Sequence, residues 1–180
     1  MARLAAVLLC LAGLFVASAA QSEPNPGLAV VDFATVRREA AAAKSIAAQV
    51  EAIVAEYQQD IEREESSLRT AQEQLKVRRE ALSEEAYADE RRKWETNVAN
   101  AQRRFLERRQ QLDRARTLAW QRVNQMVSTV IQDMAAERKL VIVLRRDQAV
   151  YVASGLEITD EVLLRLNARL PTIKIDLSDG

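Results

Sequence analysis

The side chains of this sequence that cluster densely enough for chemistry are carboxylates and guanidinium groups. Histidine is absent, and the single cysteine, Cys10, sits in an apolar run near the amino terminus. Glu62, Glu64 and Glu65 form a compact acidic group, and Arg103-Arg-Phe-Leu-Glu-Arg-Arg109 a compact basic one. The carboxylates could offer oxygens to a hard cation, but Glu62 and Glu65 share a helix face only loosely and no imidazole is available. The basic run could track a phosphate backbone; in a chain with an export signal it reads as a solvated helix face, and no nucleic-acid partner is expected. The four glycines, at 13, 27, 155 and 180, are too dispersed to build a phosphate-cradling loop. The expectation is therefore a protein without catalytic residues, metal or cofactor, one that works through its surfaces.

The elements that must present those surfaces begin with the amino terminus. Arg3 precedes the apolar run Leu4 to Val16, followed by Ala17, Ser18, Ala19 and Ala20. That order predicts a signal peptide over 1–20, cleaved after Ala19 or Ala20. The run is too short for a hydrocarbon core of about 30 Å. Its removal takes Cys10 with it, so the exported chain has no disulfide or thiolate chemistry. Hydrophobic residues make up 48% of the chain but aromatic ones only 4%, and neither Gly nor Pro occurs from Leu28 to Ser154. Such usage predicts long helices. Lys+Arg and Asp+Glu both number 26, so net charge selects no partner.

Heptads organise the helical region. Val54, Ile61, Leu68, Leu75 and Leu82 form one apolar row, with Tyr57 on a companion row; the return stretch carries Val98, Phe105 and Leu112, with Trp94 beside them. Leu28–Phe33, Leu140–Leu144 and Ala149–Ala153 read as strands, which must meet to be stable. Only a fold-back brings the first to the others. Ser83, Glu84 and Glu85 interrupt the apolar rows and suit a helix start, placing the tip near 83–86. The predicted fold is α+β and mostly helical: an antiparallel hairpin arm over 35–137 rising from a small β-sheet body at 28–34 and 138–171. Pairing about this tip sets Glu64 beside Phe105 and Ile61 beside Arg108, which predicts a soft waist where charge interrupts the seam. Thr159 is the expected cap of a last helix. Outgoing residues are acidic, while the return helix from Arg91 to Arg122 is basic.

These ends resemble the Skp (OmpH-like) family of periplasmic chaperones. Leu28-Ala-Val-Val-Asp-Phe33 is similar to its opening strand, Leu140–Leu144 and Ala149–Ala153 to its closing strands, and Leu156-Glu-Ile-Thr-Asp-Glu-Val162 to its final motif. The resemblance implies a periplasmic homotrimer with an intersubunit core from Val30, Val31, Ile142, Val143, Val150 and Val152. It implies arms that hold unfolded outer-membrane proteins, with Tyr87, Trp94, Arg103 and Arg104 as candidate client contacts. Lipopolysaccharide or a membrane surface is a weaker implied partner, because family members known for it are basic and this pI is about 6.4. The competing expectation is a periplasmic coiled-coil spacer or envelope-assembly adaptor. Polar breaks at Glu64, Arg78 and Arg108 favour arms that splay around varied clients.

Overall fold

A computed structural model of the chain describes residues 27–178. The expected signal peptide, with Arg3 and Cys10, lies outside the described residues. The first strand, β1 (Leu28–Val31), ends at Asp32, which caps α1 (Phe33–Glu39). Its Oδ1 accepts the Thr35 N–H at 3.0 Å and its Oδ2 the Thr35 hydroxyl at 2.8 Å. Ala40 takes an extended ψ of 136° and breaks the helix. The next helix, α2 (Ala41–Arg78), has no cap from its own end; Asn167 supplies one from the far end of the chain, its Oδ1 accepting the Ala41 N–H at 2.8 Å.

α2 runs outward, the chain turns through 79–83, and α3 (Glu84–Arg138) returns. At 1.5 Å per residue the 38 residues of α2 span about 57 Å and the 55 of α3 about 83 Å. α3 stops at Lys139, which occupies the left-handed region (φ 54°, ψ 40°) usual for glycine at this position. That reversal lays β2 (Ile142–Arg145) beside β1 in parallel, in register Leu28↔Ile142 to Val31↔Arg145. The arm is thus the crossover that parallel pairing demands. Gly27 makes the junction possible: its φ is +68°, and a Cβ there would lie 2.9 Å from the Val141 side chain. Its carbonyl accepts the N–H groups of Val141 and Ile142.

The core sits at the root of the arm. Val36, Ile46, Val123, Val130 and Met134 are fully buried, together with Val31 of β1 and Val162 and Leu166 of α4 (Thr159–Arg169). Each such aliphatic side chain contributes about 1.5–3 kcal/mol. Ion pairs pin α4 to α3: Arg165 reaches Glu137 at 2.7 Å, Arg169 reaches Asp133 at 2.5 Å, and Arg138 meets Glu161.

Several expectations are corrected. Among the described residues the sheet has two strands, not three, because Ala149–Ala153 is irregular between two short 3₁₀ turns, Arg146–Gln148 and Ser154–Leu156. Arg145-Arg-Asp-Gln148 lacks the Gly or Asn of a tight hairpin turn. It closes a 3₁₀ turn instead, with Arg145 gripping both oxygens of Asp147 at 3.1 and 2.7 Å. The tip lies at 79–83 rather than 83–86: Ser83 does cap α3, accepting the Ala86 N–H at 3.2 Å, and so marks the end of the turn. Thr159 does not cap α4, whose N-cap is Ile158. Its buried hydroxyl accepts the Asp32 N–H at 2.9 Å and ties α4 to the end of β1. Beyond Pro171, where no element was expected, an extended tail packs Ile173 and Ile175 into the core.

Asn167→Ala should lower unfolding free energy by about 1 kcal/mol, the usual value of a lost helix cap. Denaturant unfolding with an unchanged m-value and faster amide exchange at Ala41–Ala43 would show it; unchanged stability would mean that α2 is not rooted through Asn167.

Candidate functional site on the helical arm

A heptad row on a straight helix drifts by about 20° per heptad, so the row from Leu82 back to Val54 turns roughly 80° away from its partner. The structure registers that drift. Leu82, Leu75, Leu68 and Ile61 are half-buried along the seam, whereas Val54 is 50% exposed and Ile53 takes its place against the core. On α3, Trp94, Val98 and Phe105 are half-buried and Leu112 is buried. Fully buried residues of α2 end at Ile46; on α3, among the described residues, only Ala101 is buried before Leu112. The distal arm therefore has a seam but no interior.

Two grooves open along it. At the root, a groove of about 960 Å³ is lined by Val50, Val54, Trp120 and Arg37, whose guanidinium lies 4.9 Å from the Trp120 ring centre. At mid-arm, one of about 510 Å³ is lined by Tyr57, Ile61, Phe105 and the exposed Leu106. Leu106 sits one residue beyond the expected seam position Phe105. Period counting marked the seam and missed its apolar rim.

The expected waist carries its charges in pairs. Arg108 reaches Asp60 Oδ2 at 2.6 Å and lies 5.4 Å from the Tyr57 ring centre; Arg104 reaches Glu64 Oε1 at 2.8 Å. Each charge that would have faced an apolar residue in the predicted register instead meets an opposite charge across the hairpin. Trp94 also joins the helices, its indole N–H donating to the Leu68 carbonyl at 3.0 Å. Of the candidate contact residues, Trp94 and Arg104 are thus engaged within the hairpin. Arg103 is exposed beside Glu107 and Asn100, and Tyr87 is half-buried near the tip with the Arg79 guanidinium 5.2 Å from its ring centre.

The body has an unfinished surface of its own. Val30 and Val31, expected between subunits, are 4% and 0% exposed inside the single chain, which needs them for its own core. β2 alternates: Val143 packs inward, while Ile142 and Leu144 point outward and are exposed, as are Val141, Val150 and Tyr151. Val152 is half-buried. No strand covers the outer edge of β2 among the described residues. No helix among them is long and apolar enough to cross a membrane.

Hydrogen bonding by Arg108, and then by Arg63, holds the Asp60 carboxyl below the usual carboxylate range. With the folded pKa depressed, the stabilisation is complete above the ordinary value of about 3.9 and is lost as pH falls through the lower folded value. Hydrogen exchange at Tyr57–Glu64, corrected for its intrinsic pH dependence, should hold steady down to about pH 4 and accelerate below it. Asp60→Asn should show the faster exchange already at neutral pH. Equal protection in the variant and the natural chain would remove the pair from any role at the waist.

A strand that feeds a glycine-free hairpin, which in turn feeds a second parallel strand, matches known proteins. Among solved structures, a Caulobacter crescentus CB15 protein described as an OmpH-like outer membrane chaperone is similar, with a TM-score of 0.77 and 20% identity over 84% of this chain and 89% of that one. At that identity the likeness establishes the fold. No curated protein matches the chain. The description "Outer membrane protein (OmpH-like)" fits residues 27–166, from the Gly27 junction through Leu166 of α4, and the chain belongs to the OmpH-like family.

Proposed function

We propose that this chain is a periplasmic holdase: a homotrimer whose arms surround unfolded outer-membrane proteins and keep them from aggregating. The observation that carries the reading is the arm, grooved from its root to its middle and without an interior beyond. Two helices that leave half-exposed apolar side chains along two grooves, within a dense polar shell, form a surface made for many weak contacts rather than one tight site. Unfolded β-barrel segments offer matching apolar faces and unpaired backbone edges. The exposed Ile142, Leu144, Val150 and Tyr151 support self-association through the body, since an apolar surface of this kind on a chain this size calls for cover. Tyr87 and Arg103 are the candidate contacts that the hairpin leaves accessible.

Mixing the protein with a porin diluted from urea should suppress light scattering. Removing Arg69–Asn100, with a short turn joining Leu68 to Ala101, should keep the root core and abolish that protection. The stump keeps both grooves and loses the depth of the arm; protection equal to that of the whole chain would show that enclosure by the distal arms is not the holding device and would leave the grooves and the body as the client surface. A fixed spacer would leave scattering unchanged in both forms. Ile142→Asp should dissociate the trimer, because an unpaired carboxylate in a buried interface costs several kcal/mol. Sedimentation of the variant as an intact trimer would take Ile142 out of the interface.

A further inference from the structure

The tail beyond α4 shows what kind of segment the root of the arm can hold. Pro171 ends the helix, and the chain runs extended with its apolar residues at alternate positions: Ile173 and Ile175 are 7% and 6% exposed, and Leu177 packs beside them, while Lys174 points outward. Among the described residues the tail joins no sheet. Its backbone is held by one side chain, the carboxamide of Gln49 on α2. Nε2 donates to the Ile173 carbonyl at 2.6 Å, and Oε1 accepts the Ile175 N–H at 3.0 Å. Those two bonds, to the carbonyl of one residue and the N–H of the residue two further on, are the pair that a residue of a parallel neighbouring strand supplies. Ser45 fixes the carboxamide, its carbonyl and hydroxyl oxygens accepting from the same Nε2 at 3.1 and 3.0 Å.

Gln49 reads backbone alone, and the packing reads only apolar alternation. Among the described residues no side chain outside the tail other than Gln49 hydrogen-bonds to it; Asp176 closes its end internally by accepting from the Ser178 N–H at 2.9 Å and hydroxyl at 2.6 Å. Gln49 and the core beneath the tail lie within residues 27–166 that match the family, whereas the tail lies beyond them.

We infer that the tail groove is a binding site for extended segments with apolar side chains at alternate positions, filled at rest by the chain's own tail. Its partner, resting on the holdase reading above, is a transmembrane β-strand of an unfolded barrel, whose alternation is that of Ile173, Ile175 and Leu177. Such a segment displaces the tail by taking over the Gln49 bonds and the buried positions.

The probe is a fluorescent peptide of sequence Thr172–Ser178, followed by anisotropy. It should bind the chain lacking 172–180, and at least tenfold more weakly the full chain, where the groove is open only a fraction of the time. Ile175→Asp in the full chain should open the groove without truncation. Circular dichroism selects whichever of these two forms keeps its helicity. A peptide of the same composition with Ile, Ile and Leu adjacent should bind at least tenfold more weakly, as should the natural peptide to the truncated chain carrying Gln49→Ala. A synthetic barrel-strand peptide should displace the probe. Failure of the probe to bind a folded, opened form, or equal binding of the rearranged peptide, overturns the inference. Porin scattering is a separate arm. Protection without probe binding leaves the holdase reading and sinks the groove; displacement by the strand peptide without protection by any form keeps the groove and sinks the holdase reading.

Discussion

Two helices touch along a single line and cannot enclose an interior, and the rest of this structure answers to that limit. The arm leaves its last fully buried α2 residue at Ile46, yet α2 continues to Arg78. Everything that fixes its direction must therefore act at the root. Val123, Val127, Val130 and Met134 of α3 close on Ile46 and Val36 from one side, and α4 brings Val162 and Leu166 from another. Asn167 then terminates the open end of α2, and the Arg165 and Arg169 pairs hold α4 to α3. A root built from three distant parts of the sequence explains why the body is compact although the sheet has only two strands.

Along the distal arm, electrostatics replaces burial. The outgoing helix is acidic and the returning one basic, and where they face each other at Asp60–Arg108 and Glu64–Arg104 the charges meet across the seam. These partly exposed pairs contribute little stability each. Their effect is on register, since sliding one helix along the other would set like charges or apolar side chains against them. Trp94 does similar work further out, its indole bonded to a carbonyl that is already part of the α2 ladder. A seam fixed by a few directional contacts keeps its alignment without the tight packing that would close its grooves.

The sequence disclosed the features governed by local or periodic rules. Ser83 followed by two glutamates marked a helix start, the absence of Gly and Pro marked the hairpin, and the matched ends called for a fold-back. What it hid depends on distance. Whether Ala149–Ala153 forms a strand depends on a pairing partner, and β1 has β2 on one side and a bridge at Glu157 on the other. Thr159 looked like a local cap because its neighbours are acidic, but the donor it serves is Asp32, 127 residues away. Ile53 displaced Val54 from the core because the helix keeps its own pitch, which an idealised heptad ignores. The tail's alternation is plain in Ile173, Ile175 and Leu177, but only three apolar residues carry it. Its meaning appears when Gln49 is found beneath it.

Two surfaces of the described residues are left uncovered. The outer edge of β2 lacks a neighbouring strand, and the grooves of the arm lack a third element to fill them. Left bare, such surfaces invite aggregation, and the chain moderates both. The β2 edge is four residues long and ends in Arg145, which is tied to Asp147; short edges with a charged terminus resist open-ended pairing. Charged residues line both arm grooves, Arg37, Glu51 and Arg116 at the root and Arg108 and Arg109 at mid-arm, so two arms that brought their apolar stripes together would desolvate those charges. At the root the chain goes further and covers one groove with its own tail. On the holdase reading proposed above, an unfolded segment would meet less of this barrier than a second folded arm, because it can lay down alternate side chains and backbone groups one residue at a time. Recognition of that kind would need neither a deep pocket nor a net charge, and the grooves here are open and the charged residues balanced at 26 of each sign.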